Sequence, residues 1–312
     1  MWKGRVERVG VLVIAVLGIV AAACGASGGS TSLDEPTPLS EGATAAPPRD
    51  EIHVKVDGTG DYVTIEAAVA AAAPQATIRL GPGIYRLVNG LSIDRSLTLV
   101  GAGMDETEIV SGAAGHVIRF TGSGALRAEG ITFRHDGTAM ADVVVVDGGA
   151  GYFSACRFTG AVYEEGEGNR AGLRFRGTSR GTVQKSVVSD NDNTGILVEQ
   201  RAQPELRGNI CSDNSAVGIG YMDLATGMAS GNECTGNQIG IALAVEVGPT
   251  LERNLCNDND YGIAYLDNAG GRSYENECMR NRIGMTIGGS STVQLGENFC
   301  RDNAEEDIRD SR

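Results

Sequence analysis

Along the last third of the chain, apolar residues recur in short alternating runs broken by turns rich in Gly, Asn and Asp. Alternation over a few residues predicts short strands rather than helices. In residues 232–256, Cys234 closes one run and Asn237 stands in the turn after it. Ile241 and Leu243 make the next run, and Leu251 lies in a third after Pro249. The alternation points Ile241, Leu243, Leu251 and Cys256 inward and Ala242 outward. The pattern then repeats. Asn209-Ile210-Cys211, Asn232-Glu233-Cys234, Asn254-Leu255-Cys256, Asn276-Glu277-Cys278 and Asn298-Phe299-Cys300 are spaced 23, 22, 22 and 22 residues apart. A second ladder follows at Asn214, Asn237, Asn259, Asn281 and Asn303, and a third at Gly218-Ile219, Gly240-Ile241, Gly262-Ile263 and Gly284-Met285. A fixed period of this length marks a repeat array, each unit one coil of three short strands.

Upstream the pattern changes. Ile52, Val54 and Val56 alternate with His53 and Lys55 before the turn Asp57-Gly58-Thr59-Gly60-Asp61. Thr64 is placed to cap a helix through Ile65, Ala68, Val69 and Ala72, stopped by Pro74. Thr77–Leu80, Ile84-Tyr85, Leu91–Ile93 and Leu97–Val100 read as strands. The run Val54-Lys55-Val56-Asp57-Gly58-Thr59-Gly60-Asp61-Tyr62-Val63-Thr64-Ile65-Glu66-Ala67-Ala68, with Pro82-Gly83-Ile84-Tyr85, resembles the opening of pectinesterases and other right-handed parallel β-helix proteins. From about residue 125 to 303 the chain resembles the generic parallel β-helix repeat of bacterial surface proteins. Coils are countable from Ile131 in steps of 25, 30 and 23 before the regular 22s, with Glu164–Asn169 as the insertion in the long step. The resemblances imply an all-β fold over 51–312. It is a single-stranded right-handed parallel β-helix of about nine coils of 22–25 residues, capped at its N-terminus by a short α-helix.

The ladders themselves read as structure. Asn209, Asn232, Asn254, Asn276 and Asn298 can each bond the backbone of their own coil and of the next. Cys211, Cys234, Cys256, Cys278 and Cys300 occupy one equivalent position and read as small apolar side chains in a stack. In-register strands set their Cβ atoms about 4.8 Å apart, beyond the roughly 3.5–4.5 Å of a disulfide.

Composition adds destination rather than chemistry. Lys3, Arg5 and Arg8 precede an apolar run from Val9 to Val20 and then Ala21-Ala22-Ala23-Cys24. That is an export signal over 1–23. Its end resembles the lipobox of bacterial lipoproteins, in which Cys24 would become the lipidated N-terminus; that family usually has Leu where Ala21 stands, and plain secretion is the alternative. Residues 24–50, rich in Gly, Ser, Thr, Pro and Ala, read as a flexible tether. The expected location is the bacterial cell envelope, with the membrane reached only through the lipid. Losing the leader would take the net charge from −14 to −16, which disfavours nucleic acid as a partner.

For chemistry, pectinesterase is tested first. Its Q-D-T-L segment is replaced by Ala161-Val162-Tyr163-Glu164, and Gln184 stands where its nucleophilic aspartate would be. That activity needs both carboxylates and is rejected. Glu199, Asp223, Glu246 and Asp267 follow the second strand of successive coils, beside the small outward residues Gly220, Ala242 and Ala264. They are the candidate substrate-binding row, on a shallow face where a sugar chain could lie. Solvated turn acids are the plainer reading. His53, His116 and His135 have no partner at metal-ligand spacing, and His135-Asp136 is the one His–carboxylate neighbour pair. No metal site or cofactor is expected; for Ca2+ the 57–61 turn is the nearest thing to a motif. The functional expectation is an exported, lipid-anchored β-helix that binds, rather than processes, polysaccharide. The alternative is a non-catalytic structural or protein-interaction rod.

Overall fold

The alternating runs wind into three parallel sheets around one axis, as seen in a computed structural model that describes residues 49–312. The leader, Cys24 and the tether up to residue 48 lie outside the described residues. Sheet I has eleven strands, from Arg49–Val54 and Ala72–Leu80 through Leu97–Val100, Ala125–Glu129, Ala150–Ser154 and Arg180–Gln184 to Gln294–Leu295. Sheet II has ten, from Gly83–Arg86 to Phe299–Arg301, and carries the Asn-x-Cys strands. Sheet III has ten, from Leu91–Ile93 and Gly115–Phe120 to Glu306–Asp310. The chain visits the three in rotation, giving a right-handed β-helix of about eleven turns. The count exceeds the nine expected because the first coils, at Gly83–Arg86 and Thr107–Ser111, carry none of the ladder residues used for counting.

The interior is a set of residue columns. In sheet II one column runs Tyr85, Ile109, Phe133, Phe158, Val188, Cys211, Cys234, Cys256. Cys278 and Cys300 are register partners at its far end. Bulk falls along it, from stacked rings (Phe133 and Phe158, centroids 5.5 Å apart) to thiols. All six described cysteines are free; Cys300 is partly exposed and the other five are buried. Burial pushes the Cys156 thiol up to about 12 and raises Cys256 well above the ordinary range.

The ladder asparagines inside the array each tie three coils. Asn254 Nδ2 donates back to Ala229 O and onward to Asn276 Oδ1, both 2.8 Å, while its Oδ1 accepts from Asn232 N and Nδ2 at 3.1 and 2.9 Å. The second ladder starts one coil earlier than the sequence suggests, at Asn191, whose Nδ2 donates to Asn214 Oδ1 at 2.9 Å. It ends where Asn303 Nδ2 donates to Asp307 Oδ1 at 2.8 Å.

The Gly-Ile ladder has a different cause from the one its glycines suggest. Gly218, Gly240, Gly262 and Gly284 are not left-handed; a Cβ on Gly240 would stand 2.6 Å from Gly262 O and 3.1 Å from Cys256 Cβ. Close approach between coils excludes any side chain there. Left-handed turn positions lie just before every ladder Asn except Asn298. Gly208, Gly231, Arg253 and Glu275 (φ 59, 62, 52 and 56°) precede the first ladder, and Asp213, Gly236, Asp258, Arg280 and Asp302 (φ 54–68°) precede the second.

At the N-terminal end the helix Ile65–Ala71 covers the open coil with Ile65, Ala68 and Val69. Thr64 Oγ1 accepts from Ala67 N at 3.3 Å. The helix ends before Pro74, because Ala72 already has extended backbone and begins a strand. Tyr85 of the Pro-Gly-x-Tyr run donates to Val54 O or Gly81 O, each 2.9 Å from its hydroxyl. The 57–61 turn spends its acids locally. Asp57 Oδ1 accepts from Thr59 N and Oγ1, and Asp61 accepts from His53 N and Arg49.

Candidate functional site

The four acids expected in one row do not share one. Pairings Val198↔Tyr221, Tyr221↔Leu243 and Leu243↔Tyr265 make Gln200, Asp223, Val245 and Asp267 equivalent. All four are left-handed turn residues with φ between 55 and 70°. Glu199 lies one position earlier and Glu246 one later. Asp223, Glu246 and Asp267 are exposed, and Asp223 Oδ2 accepts from Gln200 N at 3.1 Å. Glu199 is instead buried in a charged cluster on sheet III. Arg174 donates through Nε and Nη2 to its two oxygens at 3.1 and 3.0 Å, and through Nη1 to Asp142 at 3.1 Å. Burial raises the Asp142 pKa despite the Arg174 charge.

Gly220, Ala242 and Ala264 do form one outward row, between Leu197 and Thr286. Ala242 and Ala264 are buried, in an apolar cluster with Val217, Ile239, Tyr261 and Ile283 that is separate from the coil interior. The predicted shallow face is apolar, not an open trough. His135 ends the strand Thr132–His135, and its ring nitrogens lie 3.2 Å from Gly160 O and Ala113 O. Among the described residues no group of three or more His, Cys, Asp or Glu could hold a metal ion. None of the described helices is long and apolar enough to cross a membrane.

The open site lies on sheet I, near the N-terminal end. Strand alternation turns two rows outward there: Thr98, Arg127, Tyr152 and Thr182, and beside it Glu129, Ser154 and Gln184. Inward neighbours Ala128, Phe153 and Val183 anchor the floor. Together the two rows line a cleft of about 360 Å³, adjoined by a second of about 250 Å³ lined by Gln75, Ser96, Thr98, Ala125 and Arg127. Arg127 belongs to both, and its guanidinium carbon sits 4.1 Å from the Tyr152 ring centroid. That stacking holds the cation in place while leaving its N–H groups free to donate. Gln184 Nε2 donates to Ser154 Oγ at 3.4 Å. An aromatic face, a fixed guanidinium, an amide, a carboxylate and hydroxyls suit a ligand with apolar C–H faces and many hydroxyls. Of these residues, sequence reasoning singled out Gln184 alone, as the replacement for an aspartate. The others went unread, because nothing in the alternating pattern says which coils leave a cleft.

Residues 142–300 match the family described as right handed beta helix region. No curated protein matches the chain. Among solved structures, the alginate lyase from Paenibacillus sp. str. FPU-7 matches at 12% identity with a TM-score of 0.66, over 83% of this chain and 97% of that one. The pectate lyase Pel9A matches at 17% identity with a TM-score of 0.50, over 82% and 78%. ORF18 of Geobacillus virus E2 matches at 14% and 0.59, over 83% of this chain, which spans 60% of the viral protein. At these identities the likeness is one of fold.

Proposed function

Because the chain belongs to the right handed beta helix region family, we propose that it is a polysaccharide-binding solenoid whose ligand lies along the outer face of sheet I. The observation that carries this is the Arg127–Tyr152 stack at the centre of two adjoining clefts. A polymer laid parallel to the solenoid axis crosses successive coils, so one rigid platform serves several sugar units. Folds like this one occur in an alginate lyase and a pectate lyase, which supports a carbohydrate ligand by analogy. Binding is favoured over hydrolysis because Glu129 is the one carboxylate lining the cleft, and glycosidic hydrolysis uses a pair. Export through residues 1–23 and lipid attachment at Cys24 belong to the same proposal, with residues 24–48 linking that anchor to the solenoid, whose first strand begins at Arg49.

Affinity electrophoresis of the solenoid in gels containing alginate, polygalacturonate or neutral glucans tests the reading. The expected result is retardation by at least one polymer, weakened about tenfold or more in Tyr152→Ala and in Arg127→Ala, since one stacked aromatic or charged contact is worth roughly 1–2 kcal/mol. No retardation by any polymer, or unchanged retardation in both variants, sinks it. Metabolic lipid labelling that survives Cys24→Ser sinks the anchor.

A further inference from the structure

Sheet III carries a second group of reactive side chains, on a different face from the cleft. Ser92 is exposed on the strand Leu91–Ile93, and His116 and Arg119 lie on the neighbouring strand Gly115–Phe120. Ser92 and Arg119 are register partners, so their side chains stand side by side, about 4.8 Å apart at the backbone. The Ser92 Oγ lies 3.4 Å from His116 Nε2, the looser spacing that nucleophile–base pairs show without substrate. Gly90 makes room for the ring. A Cβ there would stand 2.3 Å from His116 O, 2.9 Å from ring Cδ2 and 3.1 Å from Nε2. Burial, and after it the Arg119 charge, lowers the His116 pKa, which keeps the imidazole neutral at pH 7 and so able to accept a proton. Arg119 is held by Asp147, and its Nε–H is buried without a partner.

We propose that Ser92, His116 and Arg119 form a serine-type site for hydrolysis of short-chain acyl esters, such as O-acyl groups on sugars. Ser92 Oγ attacks the ester carbonyl carbon while its proton passes to His116 Nε2. The Arg119 guanidinium faces the negative charge that develops on the carbonyl oxygen. The alcohol leaves with the proton from His116, and the acyl group remains on Ser92. Water, deprotonated by His116, then attacks the acyl-serine, releasing the carboxylic acid and returning the proton to Ser92. The site does not depend on the cleft of sheet I, and polysaccharide retardation is measured separately, so either reading can fail alone.

The test uses the full chain with p-nitrophenyl acetate as substrate and a fluorophosphonate as covalent probe. The expected result is one adduct, mapped to Ser92 by mass spectrometry, and hydrolysis above the buffer rate. Ser92→Ala should abolish the adduct, and Ser92→Ala and His116→Gln should each lower the rate about 10²-fold or more, while Arg119→Gln should cost about 10²-fold through the lost charge. Ser92 is exposed, so its alanine variant keeps the fold, checked by an unchanged melting temperature. A wild-type protein that is neither labelled nor active overturns the proposal, as does a Ser92→Ala or a His116→Gln protein that hydrolyses at the wild-type rate.

Discussion

One asparagine side chain reaches a carbonyl in the coil before it and an amide in the coil after it. Replacing Asn254 with Ala removes the side-chain partner of the Ala229 carbonyl and of the Asn232 backbone N–H, and leaves Asn232 Nδ2 with Leu206 O alone. Unsatisfied buried groups of this kind cost about 1–3 kcal/mol each, so the loss should be roughly 3 kcal/mol after relaxation. Calorimetry should show a melting temperature lower by about 6–12 °C; a change under one degree would refute the ladder's role. The thiols give a second residue-scale check. Cys300 should react with a maleimide in the native state, while Cys156, Cys211, Cys234, Cys256 and Cys278 should react only on unfolding, read by peptide mapping. At this scale the sequence is informative. Asn and Cys recurring at one period point to the interior by spacing alone, because burial at a fixed coil position forces the same residue type each time. The Gly-Ile glycines are legible as fixed in position but not in cause, since a close approach between coils leaves no local pattern.

Turns are the element at which this solenoid stores strain. Arg253 and Glu275 hold the left-handed conformation that Gly208 and Gly231 adopt freely in the two coils before Arg253. A side chain there costs roughly 1–2 kcal/mol, while glycine loses roughly 0.5–1 kcal/mol more on folding. Arg253→Gly should therefore stabilise the protein by about 0.5 kcal/mol: the exposed pair of Arg253 with Glu275 contributes little against that, while the pair with the largely buried Glu252 carboxylate offsets part of the gain. Urea titration measures it; an unchanged or lower midpoint rejects the strain argument. Turn conformation also explains why the acidic row dissolved. Glu199, Asp223, Glu246 and Asp267 follow equivalent strands, but register counts from the strand and not from the nearest acid. A shift of one residue moves Glu199 from the left-handed turn into the Arg174 cluster. Outward position on a strand was predictable for Arg127 and Tyr152; their convergence on a cleft depends on the side chains of four coils together.

For the whole molecule, the coils from Cys211 onward are near-copies. Excising residues 232–253 would join Gly231 to Asn254 and return every interior column to register, with Asn209 bonded to Asn254. In a solenoid the stability is close to a sum over coils and their neighbours. The shortened protein should fold and should lose about one tenth of its urea m-value, with the sheet I cleft unaffected. A protein that fails to fold, or keeps its full m-value, contradicts the repeat description. The architecture was legible from the period alone; the number of turns was not, because the first coils are built from aromatic and branched residues without the ladder signature.

That change in filling along the sheet II column bears on how the chain finds its register. A coil marked only by Asn, Cys and Gly-Ile matches its neighbours' partners as well as its own, so the later coils are degenerate: slipping by one coil costs them little. Phe133, Phe153, Phe158 and Phe175 are not degenerate. Phe153 meets Phe158 edge-on at 5.4 Å and Phe175 at 6.4 Å, contacts that no shifted pairing reproduces. The aromatic coils thus supply an address that the later coils lack, and the repeats copy outward from it. Errors in that address would give solenoids with correct local structure and the wrong coil in each place.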